Sequence, residues 1–409
     1  MNERAPGPIA LRRLIPAVLV LGLVLDVGSR FLPYDAVAFR GWEALSADPF
    51  VTQAWEVLTK KPPSLLASFR PNERYVNDRA YGDLAPMGNR PWLRQYHREV
   101  VTTDSLGLRN TAPPGAPHVA LVAGTSFTFG STMSDDETLP AQLSALLGGG
   151  VYNAGASDDD DFHVDALLDR VNVAPGGTYI LEHLERNDPP TIGNPNAGRM
   201  VARLRRTFGD RYLDLRMAYA EMNHWLDVSP LRVMLVRARK LVENDVVLPN
   251  SFAPFADLET LKNGDPMLFL PLDKTQDESP QRPADLGIPY WRHLADHLER
   301  RGLHFLVVLV PTKYTVYGPL TMSPPAALTG PRYLAEMSAA LQAAGIANLD
   351  VTASLQSAAR VGLPDHRYIY WRDDSHWNKD AVALVAESIA ARMKALGWTP
   401  ASSAAPPAR

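Results

Sequence analysis

Val119-Ala120-Leu121-Val122-Ala123-Gly124-Thr125-Ser126 is the stretch on which the fold turns. Its apolar run has the pattern of a buried strand, and the Gly-Thr-Ser that follows places Ser126 at the strand's carboxyl end. Open α/β sheets hold their ligands at that edge.

Reading outward, apolar runs alternate with helical periodicity. Strands are expected at 118–123, 151–154, 178–184, 303–310 and 346–350. Helices are expected at about 137–147, 162–173, 289–301, 331–344, 351–360 and 378–396. The alternation predicts an α/β fold, a three-layer αβα sandwich with a central, mostly parallel sheet. Between about 190 and 265 it breaks, and the Arg-rich, helically spaced stretch Arg199–Asn244 reads as a helical insertion, either ordinary packing or a lid. Residues 34–117 read as a lead-in that wraps a catalytic domain spanning 118–396, and 397–409 as a disordered tail of Ala, Ser and Pro.

At the start, Arg12-Arg13 precede an uncharged apolar run, Leu14–Leu25, that ends before Asp26. A spanning helix needs about 20 apolar residues, and this run reaches that length only if residues through Leu32 join it despite Asp26 and Arg30. With the basic residues on its amino side, the segment 1–33 is expected to be a membrane anchor with the remainder exported, a cleaved signal peptide being the alternative.

Composition narrows the classes. A chain of 409 residues with 46% hydrophobic side chains buries a large core. A net charge of -4 offers no electrostatic footprint for nucleic acid. The count of 0 cysteines excludes disulfides, thiolate metal sites and cysteine nucleophiles.

The second informative stretch is Asp373-Asp374-Ser375-His376-Trp377-Asn378, just ahead of the last helical pattern. A serine attacks only if a base takes its proton, and a carboxylate fixes the imidazole's tautomer. Ser126, His376 and Asp374 (or Asp373) supply those parts, which points to serine-dependent acyl transfer.

On these blocks the chain resembles the SGNH/GDSL hydrolase superfamily, in its alginate O-acetyltransferase-like branch, over roughly residues 100–395. Gly124-Thr125-Ser126 is similar to the Gly-Asp-Ser block, and Asp374-Ser375-His376-Trp377 to the branch's Asp-x-His-Trp. The wider superfamily's Asp-x-x-His would select Asp373 instead. In some alginate enzymes the Asp-x-His part precedes the serine, whereas here Ser126 comes first. The resemblance implies an oxyanion hole from the amides of Ser126 and Gly155, the latter in Tyr152-Asn153-Ala154-Gly155, with Asn187 as a third donor. It also implies substrate-binding roles for Arg186 of a Glu-Arg element, for Lys313 and Tyr317 of Pro-x-Lys-x-x-x-Tyr, and for Trp377.

The activity so implied is O-acetylation of an extracytoplasmic polysaccharide, with no cofactor and no metal, and with a membrane-bound O-acyltransferase partner as acetyl donor. The alternatives are a carbohydrate esterase with the same three residues, and a non-catalytic polysaccharide-binding or assembly protein. Three further features carry less. Asp158–Asp161 with His163 read as an acidic helix start. His293 and His297, i and i+4, lack the intervening Glu of a zinc helix. Trp92, Trp291 and Trp371 read as core or groove wall.

Overall fold

The computed structural model describes residues 8–29, 71–88, 90–155, 161–187, 256–278, 286–328 and 330–398. Ahead of the expected domain, helix α1 (Pro8–Ser29) precedes strands β1 (Arg74–Ala80) and β2 (His97–Thr102), which pair as an antiparallel hairpin around the short helix α2 (Leu84–Met87). The sheet strands are β3 (His118–Gly124), β4 (Gly150–Gly155), β5 (Val173–Leu184), β8 (His304–Val310) and β9 (Asn348–Asp350). They are all parallel and lie in the order β4-β3-β5-β8-β9. Between β5 and β8, β6 (Asp257–Thr260) and β7 (Pro266–Phe269) form a second antiparallel hairpin, followed by helix α6 (Pro271–Glu278).

Strand alternation sorts the core into two layers. Ala120, Val122, Ile180, Leu306 and Val308 face helices α4 (Leu139–Leu147), α10 (Thr352–Gly362) and α11 (Lys379–Ala395). Leu121, Ala123, Tyr179, Leu181, Val307 and Leu309 face α5 (Asp161–Leu168), α7 (Ile288–Arg300) and α9 (Gly330–Ala343). Both faces of the sheet are therefore dry, which is why the strands are continuous apolar runs. The expected sandwich is the observed one.

From β3 the chain goes first to a neighbour on one side, β4, and then crosses to β5 on the other. The carboxyl ends of β3 and β5 thus form a topological switch point, where a crevice opens. The short helix α3 (Ser126–Phe129) begins there, and α8 (Lys313–Tyr317) follows β8 after two intervening residues.

Some expectations shift. The helix expected at 162–173 stops at Leu168, because β5 already begins at Val173. The expected insertion lies mostly outside the described residues, but its end folds as β6 and the turn into β7. The tail beyond Trp398 and the side chains of Asp158–His163 also lie outside them. Helix α1 forms around the apolar run and leaves Val18, Leu21, Leu23 and Val24 more than half exposed. A spanning anchor is not supported, since no helix among the described residues is long and apolar enough to cross a membrane. The physical reason is that Arg12-Arg13 and Asp26 bracket an apolar core too short for the bilayer.

Candidate active site

The turn from β3 into α3 sets out Ser126. Gly124 has φ +149°, and a Cβ there would sit 2.5 Å from Glu182 Oε2 and 2.7 Å from Thr128 Oγ1. Thr125 is the N-cap of α3, its hydroxyl accepting from Phe127 N–H. Glu182, buried near the end of β5, accepts from Thr125 N–H at 2.7 Å, from the Thr125 hydroxyl at 2.9 Å and from the Thr128 hydroxyl at 3.2 Å. Burial pushes the Glu182 carboxyl up against those bonds. One carboxylate therefore ties the nucleophile turn to the neighbouring strand.

The histidine arrives from a loop closed by a bridge between Tyr370 and Trp377 and ended by Asn378, which caps α11. His376 Nε2 lies 2.7 Å from Ser126 Oγ, across 250 positions of sequence. Its Nδ1 lies 2.6 Å from Asp374 Oδ1, which also accepts His376 N–H at 2.7 Å. Asp374 Oδ2 accepts Asp83 N–H at 2.8 Å. Burial raises the Asp374 carboxyl, but the His376 imidazole and the hydrogen bonds outweigh it and hold it below the usual range. For His376, burial pulls down and the Asp374 charge and bond pull up more strongly, so the imidazole sits above its ordinary value.

Asp373 faces the other way. Its Oδ2 accepts from Gly82 N–H at 3.0 Å and Gln95 N–H at 2.7 Å, and burial pushes it up to about 6. Of the two carboxylates, Asp374 is the one the loop turns toward His376.

Several residues assigned to substrate binding are interior. Lys313 is 1% exposed, and its Nζ donates to the carbonyls of Leu268 and Trp371 at 2.6 Å and of Asp374 at 2.9 Å. Burial pushes its ammonium down to about 7, against the pull of Asp374, Asp373, Asp83 and Asp273. Lys313 is thus a strut beneath the histidine loop, not a groove residue. Tyr317 is fully buried, its hydroxyl accepting from Ile369 N–H at 2.9 Å, so it props the start of the same loop. Trp377 is also fully buried; its Nε1 donates to Phe127 O and its ring packs edge-on against Phe127. It joins the two turns rather than stacking on a sugar.

Arg186 lies at the end of β5 with its guanidinium 5.6 Å from the Phe127 ring, bonded to the buried Asp273 at 3.2 Å. Gly155 does not present its amide outward, because its N–H donates to Asn153 Oδ1 at 2.9 Å. A Cβ on Gly155 would lie 2.2 Å from Phe129 N, so this glycine lets α3 pack on β4. Asn187 is exposed, with its N–H donating to Leu184 O and no contact to Ser126 among the described bonds. The Ser126 N–H, in the first turn of α3, has no acceptor among the described residues.

Sequence reasoning missed Glu182, Asn153 and Arg109, which bolt the nucleophile turn. Asn153 donates to Thr128 O, and buried Arg109 donates to Phe129 O, Gly130 O and Met133 O. It also missed Asp83. A Glu directly after the apolar run Tyr179–Leu181 of an expected strand was the legible signal for Glu182; Asp83 and Arg109 gave none. Asp83, Asp374 and His376 place three possible metal-ligand atoms within 4.8 Å of one another. Each is already committed to hydrogen bonds, with Asp83 holding Ser375 and Asp374 holding His376. Elsewhere, His297 bonds Asp165, Trp291 is core, and Trp92 is exposed. A cavity of about 910 Å³ lined by His97, Arg98, Asp135, Trp371 and Lys379 has neither Ser126 nor His376 in its lining, although those two side chains bond each other at 2.7 Å.

A serine, an imidazole and a carboxylate thus stand in hydrogen-bonded series at the switch point of a parallel sheet, the arrangement that serine-dependent acyl transfer requires. Residues 267–408 match the family described as SGNH hydrolase-like domain, acetyltransferase AlgX, a match that supports the likeness of this part of the chain to the SGNH-like acetyltransferase branch. The match contains His376 and Asp374 and leaves Ser126 outside it. No curated protein matches the chain. A solved crystal structure aligns with 69% of this chain and 98% of its own at 16% identity, with a TM-score of 0.31, too slight a likeness to bear on the fold.

Proposed function

We propose that this protein is an O-acetyltransferase that modifies an extracytoplasmic polysaccharide through an acetyl-Ser126 intermediate. The observation that carries the reading is the unbroken series Ser126 Oγ, His376 Nε2 at 2.7 Å, His376 Nδ1, Asp374 Oδ1 at 2.6 Å.

Ser126 Oγ attacks the acetyl carbonyl while His376 Nε2 takes its proton. Asp374 holds the Nδ1–H and stabilises the imidazolium. The Ser126 N–H faces the developing oxyanion, and one such donor contributes about 3 kcal/mol to the transition state. His376 then gives the proton to the leaving oxygen. In the second half a sugar hydroxyl, deprotonated by His376, attacks the acetyl-serine and restores the free hydroxyl of Ser126. Arg186, beside Phe127 and braced by Asp273, flanks the site as the substrate-binding residue. Acetyl-CoA is absent outside the cytoplasm, so a membrane-bound O-acyltransferase would deliver the acetyl group. The Arg-flanked apolar segment at the start supports the reading of an exported chain.

The test offers the purified chain an acetyl ester with and without oligosaccharide acceptors and identifies products by mass spectrometry. Acetylated oligosaccharide is expected, and Ser126→Ala should abolish it without unfolding. Acetate release indifferent to acceptors would make the protein an esterase. Absence of any acetyl-Ser126 would make it a binding protein.

A further inference from the structure

The histidine loop does not hold itself in place. On one side Lys313 ties down three of its carbonyls. On the other it rests on residues 82–95, which enter from the segment between β1 and β2 and are nearly 300 positions away, as the separation of 291 between Asp83 and Asp374 records. Gly82 and Gln95 donate to Asp373 Oδ2; Leu84 and Ala85 donate to Asp373 O; Gln95 Oε1 accepts Arg372 N–H. Gly82 touches the loop so closely that a Cβ would lie 2.2 Å from Asp373 O.

Asp83 stands at the centre of this contact. Its Oδ1 accepts Ser375 N–H at 2.8 Å, and its Oδ2 accepts the Ser375 hydroxyl at 2.7 Å. Because that hydroxyl spends its proton on Asp83, the Ser375 oxygen can turn a lone pair to His376 Nδ1, 3.4 Å away. The imidazole edge opposite Ser126 therefore faces two acceptors: the Asp374 carboxylate directly and, at longer range, an oxygen polarised by a second carboxylate.

We propose that Asp83 is a positioning residue for the acyl-transfer reaction, acting through Ser375 to hold His376 in the orientation that Ser126 requires and to stabilise the imidazolium that forms as the ring takes the serine's proton. The proposal rests on the reading of Ser126 and His376 as nucleophile and base. It makes the segment ahead of the sheet part of the catalytic apparatus. The charged groups that act on His376 are Asp374 from its own loop, Asp83 from this segment and Arg186 from the end of β5, with Asp273 coupled from the opposite wall. Asp83 and Asp374 favour the imidazolium, and Arg186 opposes it. Asp83 is itself pushed up to about 6 by burial and by Asp374, so above that pH it carries charge.

The test uses the full chain and reads His376 directly, by NMR titration of its ring, alongside the rate of acetyl-Ser126 formation from an ester donor. Asp83→Asn keeps the shape and removes the charge, so the His376 midpoint should fall by about half a pH unit or more. The rate of acylation should fall about tenfold with KM for the ester unchanged, the signature of a contribution made in the transition state. Ser375→Ala, which removes the bridging hydroxyl and keeps the carboxylate, should slow acylation in the same sense and serves if the first variant fails to fold. A folded Asp83→Asn protein with an unmoved His376 midpoint would overturn the proposal, as would failure of both variants to fold. The titration needs no turnover. A wild-type chain that shows the expected shift on substitution yet forms no acetyl-Ser126 would sink the enzymatic reading and leave the Asp83 coupling standing.

Discussion

Asp373 and Asp374 are adjacent in the chain and bond in opposite directions: Asp374 Oδ1 meets His376 Nδ1 at 2.6 Å, while Asp373 Oδ2 meets the amides of Gly82 and Gln95. One carboxylate faces the chemistry and the other fastens the loop that presents it.

Their substitutions should therefore part company. Asp374→Asn is expected to lower kcat by about a thousandfold or more, because the amide no longer selects the Nδ1–H tautomer. Asp373→Asn should leave kcat within about tenfold and cost roughly 1–2 kcal/mol of stability, as two buried amides lose a charged acceptor. Acylation kinetics and chemical denaturation of both variants check the contrast.

The pH profile follows from the direction of the His376 shift. Only the neutral imidazole can take the Ser126 proton, and Asp374 holds the ring's pKa above its ordinary value. The acid limb of kcat/KM is expected above about 6.5, the unperturbed histidine value. A limb below that in the wild-type protein would contradict the assignment of His376 as the base.

Gly124→Ala is expected to destabilise the protein by roughly 2 kcal/mol or more and to depress acylation with it. The added methyl meets Glu182 and Thr128, both committed to the nucleophile turn, at a φ of +149° that side-chain-bearing residues rarely adopt. Thermal melts read the first effect and burst kinetics the second.

Glu99, almost fully buried on β2, is pushed up to about 7 by burial, with Arg109 and a Thr132 bond opposing. A carboxyl protonated in the folded chain and ionised in the unfolded one stabilises at low pH. That contribution is lost as pH rises from its unfolded value near 4.5 to about 7. Glu99→Gln removes the slope, so its stability relative to wild type should improve across that window by up to about 3 kcal/mol. Denaturation midpoints at pH 5 and pH 8 test the sign.

The layering and the two chemical turns were legible because they are local. Val119–Ala123 and Phe305–Val310 are apolar at every position, as expected of strands covered on both faces, and Leu294, Leu298, Leu334 and Leu341 repeat at helical spacing. Gly-Thr-Ser and Asp-Ser-His-Trp stand out because their chemistry demands those residue types side by side. The roles of Lys313, Tyr317, Trp377 and Gly155 were not legible. A lysine in a loop motif reads the same whether it reaches into a groove or ends beneath three carbonyls, and only burial separates the two.

What the amino-acid order determined alone is the alternation of strand and helix and the presence of a hydroxyl at a strand end and of an imidazole and an acid just ahead of the last helix. Tertiary structure decided which of two neighbouring acids faces the imidazole, and that Asp83, Glu182 and Arg109 hold the two turns in register. The reason is physical: periodicity and turn chemistry act over a few residues. A hydrogen bond between positions 83 and 375 exists only once the strand order has brought those segments to the same edge.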